Sequence, residues 1–496
     1  MQQLSGLDSS FLTLETSNQH MHVGGVVILD PSTAKERFTF QTLRRLIEER
    51  IHLVPTFRRK LVQVPFNIDF PYWIDDPAFD LDFHLHHVAV PAPGDLRQLG
   101  ALIARIIGRP LDRNHPLWET YFIEGLGDIP EIGPGKVALV SKFHHAAIDG
   151  ASGAEILASL IDLTPEVRQV PPPERPFAPG PPPNELGLLL DGLGAAARRP
   201  YRMAASVPQL ARIAMAMRRK KSRSADSGAD SGADELDLPK VAPLPLTAPR
   251  TPFNVTITPH RRFAALNISL ARTKAIKRRM GCKLNDVILA VVSGALRRYL
   301  AGHGQLPDRP LISLCPISVR SDGEKRSAGN KVSLMRVSLA TDVADPVERL
   351  RCIVASTRKG KSNHKTIGAR ALQDWTSFST PSVAALAARL VARARIADRM
   401  NPLFNVVVTN VPGAPIPIYL GGARMIANYG TAPIIDGVGL MIVVQSYMDR
   451  IDFGLTVCKE AVPDVWSLAL ALRDSVAELD AATADAAPKG GGTGGA

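Results

Sequence analysis

The feature that most constrains the fold is a break in patterning across residues 165–250. From Pro165 to Pro183 the chain is proline-rich, and Pro171-Pro172-Pro173 and Pro181-Pro182-Pro183 favour extended polyproline backbone with no core to pack. Further on, Ser224-Ala225-Asp226-Ser227-Gly228-Ala229-Asp230-Ser231-Gly232-Ala233-Asp234 is a low-complexity repeat of small polar residues with nothing to bury, and it is expected to be disordered. On either side, residues 1–164 and 251–480 carry α/β patterning. The chain is therefore divided into an N-terminal domain (1–164), a linker (165–250), a C-terminal domain (251–480) and a flexible tail (481–496). A length of 496 residues with 45 % hydrophobic content suits two cores.

Within the linker, Leu186 to Arg223 holds nine basic residues (Arg198, Arg199, Arg202, Arg212, Arg218, Arg219, Lys220, Lys221 and Arg223) against one acid, Asp191. Val207, Leu210, Ala214 and Met217 recur at spacings of three and four, which puts them on one helical face. A basic amphipathic helix results. It either packs on the body of the protein or lies on an anionic membrane face or lipid droplet.

Charge and composition narrow the classes further. The formal net charge of +12 suits an anionic surface or a phosphate-bearing ligand. Aromatic content is 5 %, and no zinc finger, aromatic RNA-binding motif or basic helix running into heptads is present, so nucleic acid is set aside. Cys282, Cys315, Cys352 and Cys458 form no CxxC pair and suggest a reducing interior. The start, Met1 to Gly6, lacks the basic and apolar regions of a signal peptide, and no run of about 18 uncharged apolar residues occurs. The expected location is the cytoplasm.

Gly24 to Leu29 reads as a buried strand, and Phe40–Ile51 and Leu99–Ile107 as amphipathic helices. In the second half, helices are expected over Ser269–Met280 and Asn285–Leu300, and strands near Leu311–Cys315 and Asn405–Thr409. Val137 to Phe143 has the alternation of a strand, and Ala154 to Leu163 the spacing of a helix. His144 and His145 thus stand at a strand end. A histidine fixed there can present one ring nitrogen to a cleft, and its ordinary pKa near 6.5 suits proton abstraction near neutrality. Asp149, followed by Gly150, reads either as a carboxylate partner for His145 or as a helix N-cap beside a tight turn; spacing favours the cap. His84, His86 and His87 have a superficial look of metal ligands, but no nearby cysteine or further ligand pattern supports a metal.

Taken together, His144-His145-Ala146-Ala147-Ile148-Asp149-Gly150, Leu4 to Leu12, Met21 to Gly24, Pro116-Leu117-Trp118, Asn285-Asp286, Pro316 to Arg320, Asn410 to Gly413, Gly437 to Leu440 and Ser446-Tyr447 resemble the chloramphenicol acetyltransferase-like superfamily. Within it they are similar to the bacterial wax ester synthase/diacylglycerol acyltransferase family, mycobacterial triacylglycerol synthase type. The resemblance implies two α/β domains, each a mixed sheet flanked by helices, with a tunnel between them. It also implies an acyl-CoA-dependent O-acyltransferase that makes triacylglycerol from diacylglycerol, or wax esters from long-chain alcohols. His145 would be the general base and His144 a loop-shaping residue. Asp149 would be architectural, with Arg320 as its candidate partner. Asn285 is either an oxyanion donor or the N-cap of its helix. Trp118 and Glu15 would frame the site. Acyl-CoA enters as co-substrate and no cofactor is needed, because thiolate is already a good leaving group. Two alternatives stand beside this: a carrier-protein-dependent condensation or polyketide-associated acyltransferase of the same superfamily, and a non-catalytic lipid-droplet binding protein.

Overall fold

The computed structural model describes residues 1–148, 156, 158–198, 238–239, 244–318, 332–364, 385–386, 389–390 and 392–486. In chain order the first half contains strand β1 (Gln2–Gln3), helix α1 (Gly6–Leu14), β2 (His22–Asp30), α2 (Phe40–Arg50), β3 (Arg59–Val62), β4 (Tyr72–Asp75), the one-turn α3 (Leu81–His84), β5 (Leu85–Ala89), α4 (Leu96–Ile107), β6 (Trp118–Glu124) and β7 (Val137–His144). The second half contains β8 (Arg261–Ser269), α5 (Leu270–Arg279), α6 (Leu284–Gly302), β9 (Ile312–Ser318), β10 (Val332–Ser338), α7 (Pro346–His364), β11 (Val406–Val411), β12 (Tyr419–Leu420), β13 (Ala423–Thr431), β14 (Leu440–Tyr447), β15 (Arg450–Cys458) and α8 (Val465–Ala486).

Two six-stranded mixed sheets organise these elements. One runs β12-β13-β2-β7-β6-β5 and the other β10-β9-β11-β14-β15-β8, with a small sheet β1-β4-β3 at the side. In the first, only β5 and β6 pair in parallel; in the second, β11 is parallel to both β9 and β14. The first sheet is not built by the first half alone, because β13 pairs antiparallel with β2 from Arg424 opposite Asp30 to Thr431 opposite Gly24. The backbone therefore crosses between the halves after β11. Where the sheets meet, a Cβ on Gly454 of β15 would stand 2.0 Å from the Gly430 carbonyl oxygen of β13, so glycine there lets the two backbones touch.

Helix α4 lies between the halves. Asp95 caps it by accepting the Gln98 N–H (2.7 Å), while the Gln98 side chain accepts from Gly94 and Asp95. That reciprocal cap starts the helix at Leu96, three residues before the apolar spacing alone suggests. Leu99, Ile103, Ile106 and Ile107 pack on one face of the first sheet and also meet Phe263 and Ala265 of β8. Each such burial contributes about 1.5–3 kcal/mol. Helix α2 covers the opposite face through Leu43 and Ile47. The second sheet is packed by α6 and α8 through Val287, Val291, Leu468 and Leu472.

The linker's proline-rich part, 165–183, is irregular and largely exposed, as its composition implies. A helix spans 185–198; the apolar face Val207 to Met217, the repeat 224–234 and the tail beyond 486 lie outside the described residues. No described helix is long and apolar enough to cross a membrane.

Candidate active site

The arrangement starts from the pairing of β2 with β7, which sets His22 opposite His144. Strand β7 ends at His144, as its alternation implies, and the chain then turns. The His144 N–H donates to the Leu117 carbonyl (3.0 Å), and the His145 N–H donates to the Met21 carbonyl (2.8 Å). Both backbones are thus held by neighbouring segments, one from the Pro116-Leu117-Trp118 motif and one from Met21 to Gly24. Along β7, Ala138, Val140, Lys142 and His144 face the α4 side.

His144 is buried; its Nδ1 is hydrogen-bonded, and its Nε2 faces the Glu15 carboxylate without a hydrogen bond of good geometry. The Ala146 N–H donates to Nδ1 (3.0 Å), so Nδ1 must carry its lone pair and the ring proton sits on Nε2. Nε2 lies 3.3 Å from Oε1 of Glu15. His144 therefore has no free lone pair with which to take a proton from a substrate. His145 projects differently: its ring stacks on Phe11 of α1 with centroids 4.0 Å apart.

Glu15 is the centre of the polar cluster. Oε1 accepts the Met21 N–H (3.0 Å), and Oε2 accepts from Arg113 Nη2 (2.5 Å), which also donates to the Leu12 carbonyl. Burial alone would raise its proton affinity, but the contacts with His144 and Arg113 override it and hold the carboxyl well below the usual carboxylate range. His22 Nε2 lies 3.7 Å from Oε1, and its ring sits 5.4 Å from that of His20. Burial, reinforced by nearby Lys142, keeps His22 neutral by pulling its pKa well below 6.5. Lys142 itself is buried against Glu119 (3.0 Å), with its ammonium also donating to the Arg109 carbonyl (3.2 Å). Two cavities, of about 100 and 350 Å³, reach Glu15 from different sides.

Trp118 belongs to the core of this region. Its Nε1–H donates to the Phe57 carbonyl (2.9 Å), and its ring lies between Phe57 (4.4 Å) and His84 (4.5 Å). His84 donates from Nδ1 to the Trp118 carbonyl (2.8 Å), while His86 stacks on Tyr121 and His87 meets Phe40 and Glu124. The three histidines of that segment are each occupied with a different neighbour.

One expectation is corrected. The N-cap of α6 is Lys283, not Asn285, and the Lys283 N–H is taken by the Asp286 carboxylate (3.0 Å). Asn285 lies inside the first turn, and its Oδ1 accepts from Asn410 Nδ2 (3.1 Å), which joins the Asn285-Asp286 motif to Asn410-Val411-Pro412-Gly413. The cap role falls to Asp286 because a carboxylate at the third helical position can reach back to the cap amide. Asp149, Gly150 and Arg320 lie outside the described residues.

Sequence reasoning missed Arg113, His20, His22 and Phe11 as members of the cluster. His22 was accessible in principle, since a strand beginning at residue 22 next to β7 would bring it beside His144. Arg113 carries no local signal, because its contacts to Leu12 and Glu15 lie 101 and 98 positions away.

Comparison with known proteins places this geometry. The wax ester synthase/diacylglycerol acyltransferase catalytic domain model matches residues 4–288, and the WS/DGAT C-terminal domain model matches residues 328–480. A Mycobacterium tuberculosis protein named "Putative diacyglycerol O-acyltransferase Rv1760" is 34 % identical over 481 residues, covering 97 % of this chain and 90 % of its own. "Probable diacyglycerol O-acyltransferase tgs2" of the same organism is 33 % identical over 480 residues, 96 % of this chain and 98 % of its own. The wax ester synthase/diacylglycerol acyltransferase of Marinobacter aquaeolei VT8 superposes with a TM-score of 0.68 at 25 % identity, covering 98 % of this chain and all of that one. The first condensation domain of the calcium-dependent antibiotic synthetase shares the fold, with a TM-score of 0.56 at 14 % identity over 98 % of this chain and 97 % of its own. With two family models spanning most of its length and its histidine motif at the end of a central strand, the chain belongs to the wax ester synthase/diacylglycerol acyltransferase family of acyltransferases.

Proposed function

We propose that the chain transfers a fatty acyl group from acyl-CoA to diacylglycerol, forming triacylglycerol, with His145 as the general base; long-chain alcohols are the second acceptor class and would give wax esters. The observation that carries the assignment of the base is the tautomer of His144. With Nδ1 capped by the Ala146 amide and Nε2 turned to Glu15, His144 is a scaffold, and the proton-accepting role falls to its neighbour.

In this reading His145 takes the proton of the acceptor hydroxyl as the alkoxide oxygen attacks the thioester carbonyl. The tetrahedral intermediate then collapses, the C–S bond breaks, and the departing thiolate receives the proton from His145. Asn285 supports the reading as an oxyanion donor, because its Oδ1 is engaged by Asn410 while its amide hydrogens have no partner among the described residues. Asp149 and Gly150, with Arg320 as the aspartate's partner, complete it as supports of the loop. The carrier-protein alternative has the shared fold in its favour and nothing more.

The acceptor lives in a lipid phase, so the enzyme must reach one. Residues 186–223 are the proposed contact with the inner membrane face or a lipid droplet, in a cytoplasmic protein. Its described helix leaves Leu186, Leu190 and Leu193 50–61 % exposed, and Phe66, in the neighbouring loop that Gly192 packs against, is 82 % exposed.

The test is thiol release from palmitoyl-CoA by wild type and His145→Ala, each with dipalmitoylglycerol, with hexadecanol and without acceptor. Acceptor-dependent release by wild type is expected, with turnover lower by about 10²–10⁴-fold in the folded variant. Inactivity of wild type with every acceptor defeats the acyltransferase reading. An unimpaired variant defeats the role of His145.

A further inference from the structure

A further cavity lies away from the His144–His145 cluster, between α4, β8 and the start of α8. It measures about 490 Å³, within the range of sites that hold small molecules. Its wall is one-sided in charge: Arg97, Arg105, Arg109, Arg261, Arg262 and Lys459 all line it, with no carboxylate among the lining residues. Among the described residues, none of these six has a carboxylate within 4 Å. Surface arginines of a globular protein are usually interspersed with acids, so six unmatched cations around one concavity create a strong local positive potential.

The nearest acids are already committed. Glu460 accepts from Thr258 Oγ1 (2.5 Å) and meets His260 Nδ1 (2.7 Å), and Asp464 accepts from Ser467. Arg261 is the most enclosed of the cations. Its guanidinium donates only to the backbone carbonyls of Thr258, His260 and Asn18, and burial draws its pKa below the ordinary value. Carbonyls satisfy its hydrogens without neutralising its charge, which leaves an incoming anion to do so. Trp466 adds an aromatic wall, with the Arg97 guanidinium 5.5 Å from its ring.

The cavity is joined to the histidine cluster by its own rim. Gly108 and Arg109 line it, and the Arg109 carbonyl accepts from Lys142, two residues before His144 on β7. Arg261 reaches the backbone of Asn18, in the loop between Glu15 and Met21. An anion seated here is therefore anchored next to the segment that carries Glu15 and His22.

We propose that this cavity binds the nucleotide end of the acyl-CoA donor: the 3′-phosphate and 5′-diphosphate against the arginines and the adenine against Trp466, with the pantetheine arm leading toward the histidines. The inference rests on the acyl-CoA reading above. A CoA nucleotide carries about four negative charges near neutrality, about −1.5 to −2 from the 3′-phosphate monoester and about −1 from each phosphate of the doubly esterified 5′-diphosphate, and it pairs a planar base with those phosphates as the cavity pairs an indole with its arginines.

The experiment uses the full chain carrying Arg105→Glu and Arg262→Glu together, both on exposed side chains. The control carries Lys274→Glu and Arg278→Glu on the exposed face of α5, an equal change of charge elsewhere. Calorimetry measures the affinity for adenosine 3′,5′-bisphosphate. Kinetics give the preference for palmitoyl-CoA over palmitoyl-pantetheine as a ratio of kcat/KM values. Nucleotide affinity and the preference ratio are each expected to fall at least tenfold in the cavity variant and to stay at the wild-type value in the control. Equal nucleotide affinity in wild type and cavity variant overturns the proposal. So does a loss confined to binding of phosphatidylglycerol vesicles, which would make the cavity a lipid-headgroup site. Should wild type fail to use palmitoyl-CoA at all, the acyltransferase reading falls, and the calorimetric comparison still decides whether the cavity holds a nucleotide.

Discussion

Glu15 and His144 stand 129 positions apart in sequence by their numbering and 3.3 Å apart in space, with the carboxylate Oε1 facing the imidazole Nε2. The contact fixes the tautomer of His144 from one side as the Ala146 amide fixes it from the other. It also ties the segment after α1 to the end of β7, where His145 follows. Replacing Glu15 with Gln keeps the shape and removes the charge. The charge-assisted bonds lost are worth about 1.5–3 kcal/mol, so kcat is expected to fall by about 10–100-fold. Glu15→Gln and His144→Ala should be strongly non-additive in a double-mutant cycle, because each removes the same contact. Additive losses would mean that the two residues act independently.

Ionised Glu15 also links stability to pH. Its folded pKa is depressed below its ordinary value of 4.5, so its contribution is fully present above that value and is lost as pH falls through and below it. Acid unfolding of the wild type should therefore steepen below about pH 4.5. Glu15→Gln should be less stable than wild type at pH 7 and should lose less of its stability between pH 5 and 3. Parallel stability curves for the two proteins, measured by urea unfolding at each pH, would contradict this.

A second buried pair secures the region after the histidine motif. Arg50, at the end of α2, donates to Asp162 Oδ2 (3.0 Å) and to the carbonyls of Leu160 and Arg168, with both charged side chains almost wholly out of solvent. The same Asp162 exchanges backbone hydrogen bonds with Tyr419 of β12, so α2, residues 160–168 and the crossing strands are joined at one point. Arg50→Met leaves buried Asp162 with only the longer, half-exposed contact to Arg168 (3.8 Å) and is expected to destabilise the protein by about 3 kcal/mol. Adding Asp162→Leu should restore most of that loss, because removing both charges also removes the desolvation cost. A double variant no more stable than Arg50→Met in urea unfolding would show that the carbonyl contacts dominate instead.

Much of this was legible in the sequence, and what was not has a physical reason. Strand β7 announced itself through the alternation of Val137 to Phe143, and α5 ends where Ser269 and Met280 suggest. The start of α4 was hidden because capping by Asp95 and Gln98 adds a turn before the first apolar residue. The passage of β12 and β13 into the first sheet could not be read from periodicity. Ala423 to Thr431 alternates only weakly, and strand partnership across some four hundred residues leaves no local trace. The histidine motif located the site because its residues are consecutive. Glu15 and Arg113 joined it through contacts that only the folded chain creates.

The corrected cap of α6 separates two roles that spacing left mixed. Asp286 holds the helix start, accepting both the Lys283 N–H and the Thr357 hydroxyl (2.8 Å) in a buried position, so Asp286→Ala is expected to cost about 2–3 kcal/mol of stability. Asn285 loses only its bond to Asn410 when replaced, and Asn285→Ala should keep the unfolding free energy from urea titration within about 1 kcal/mol of wild type. If its amide stabilises the oxyanion, the same substitution should lower kcat by about 10²–10³-fold with little change in the KM for palmitoyl-CoA. A large stability loss in Asn285→Ala would return the residue to a purely structural role. Unchanged kcat in the folded variant would move the oxyanion donor to a backbone amide.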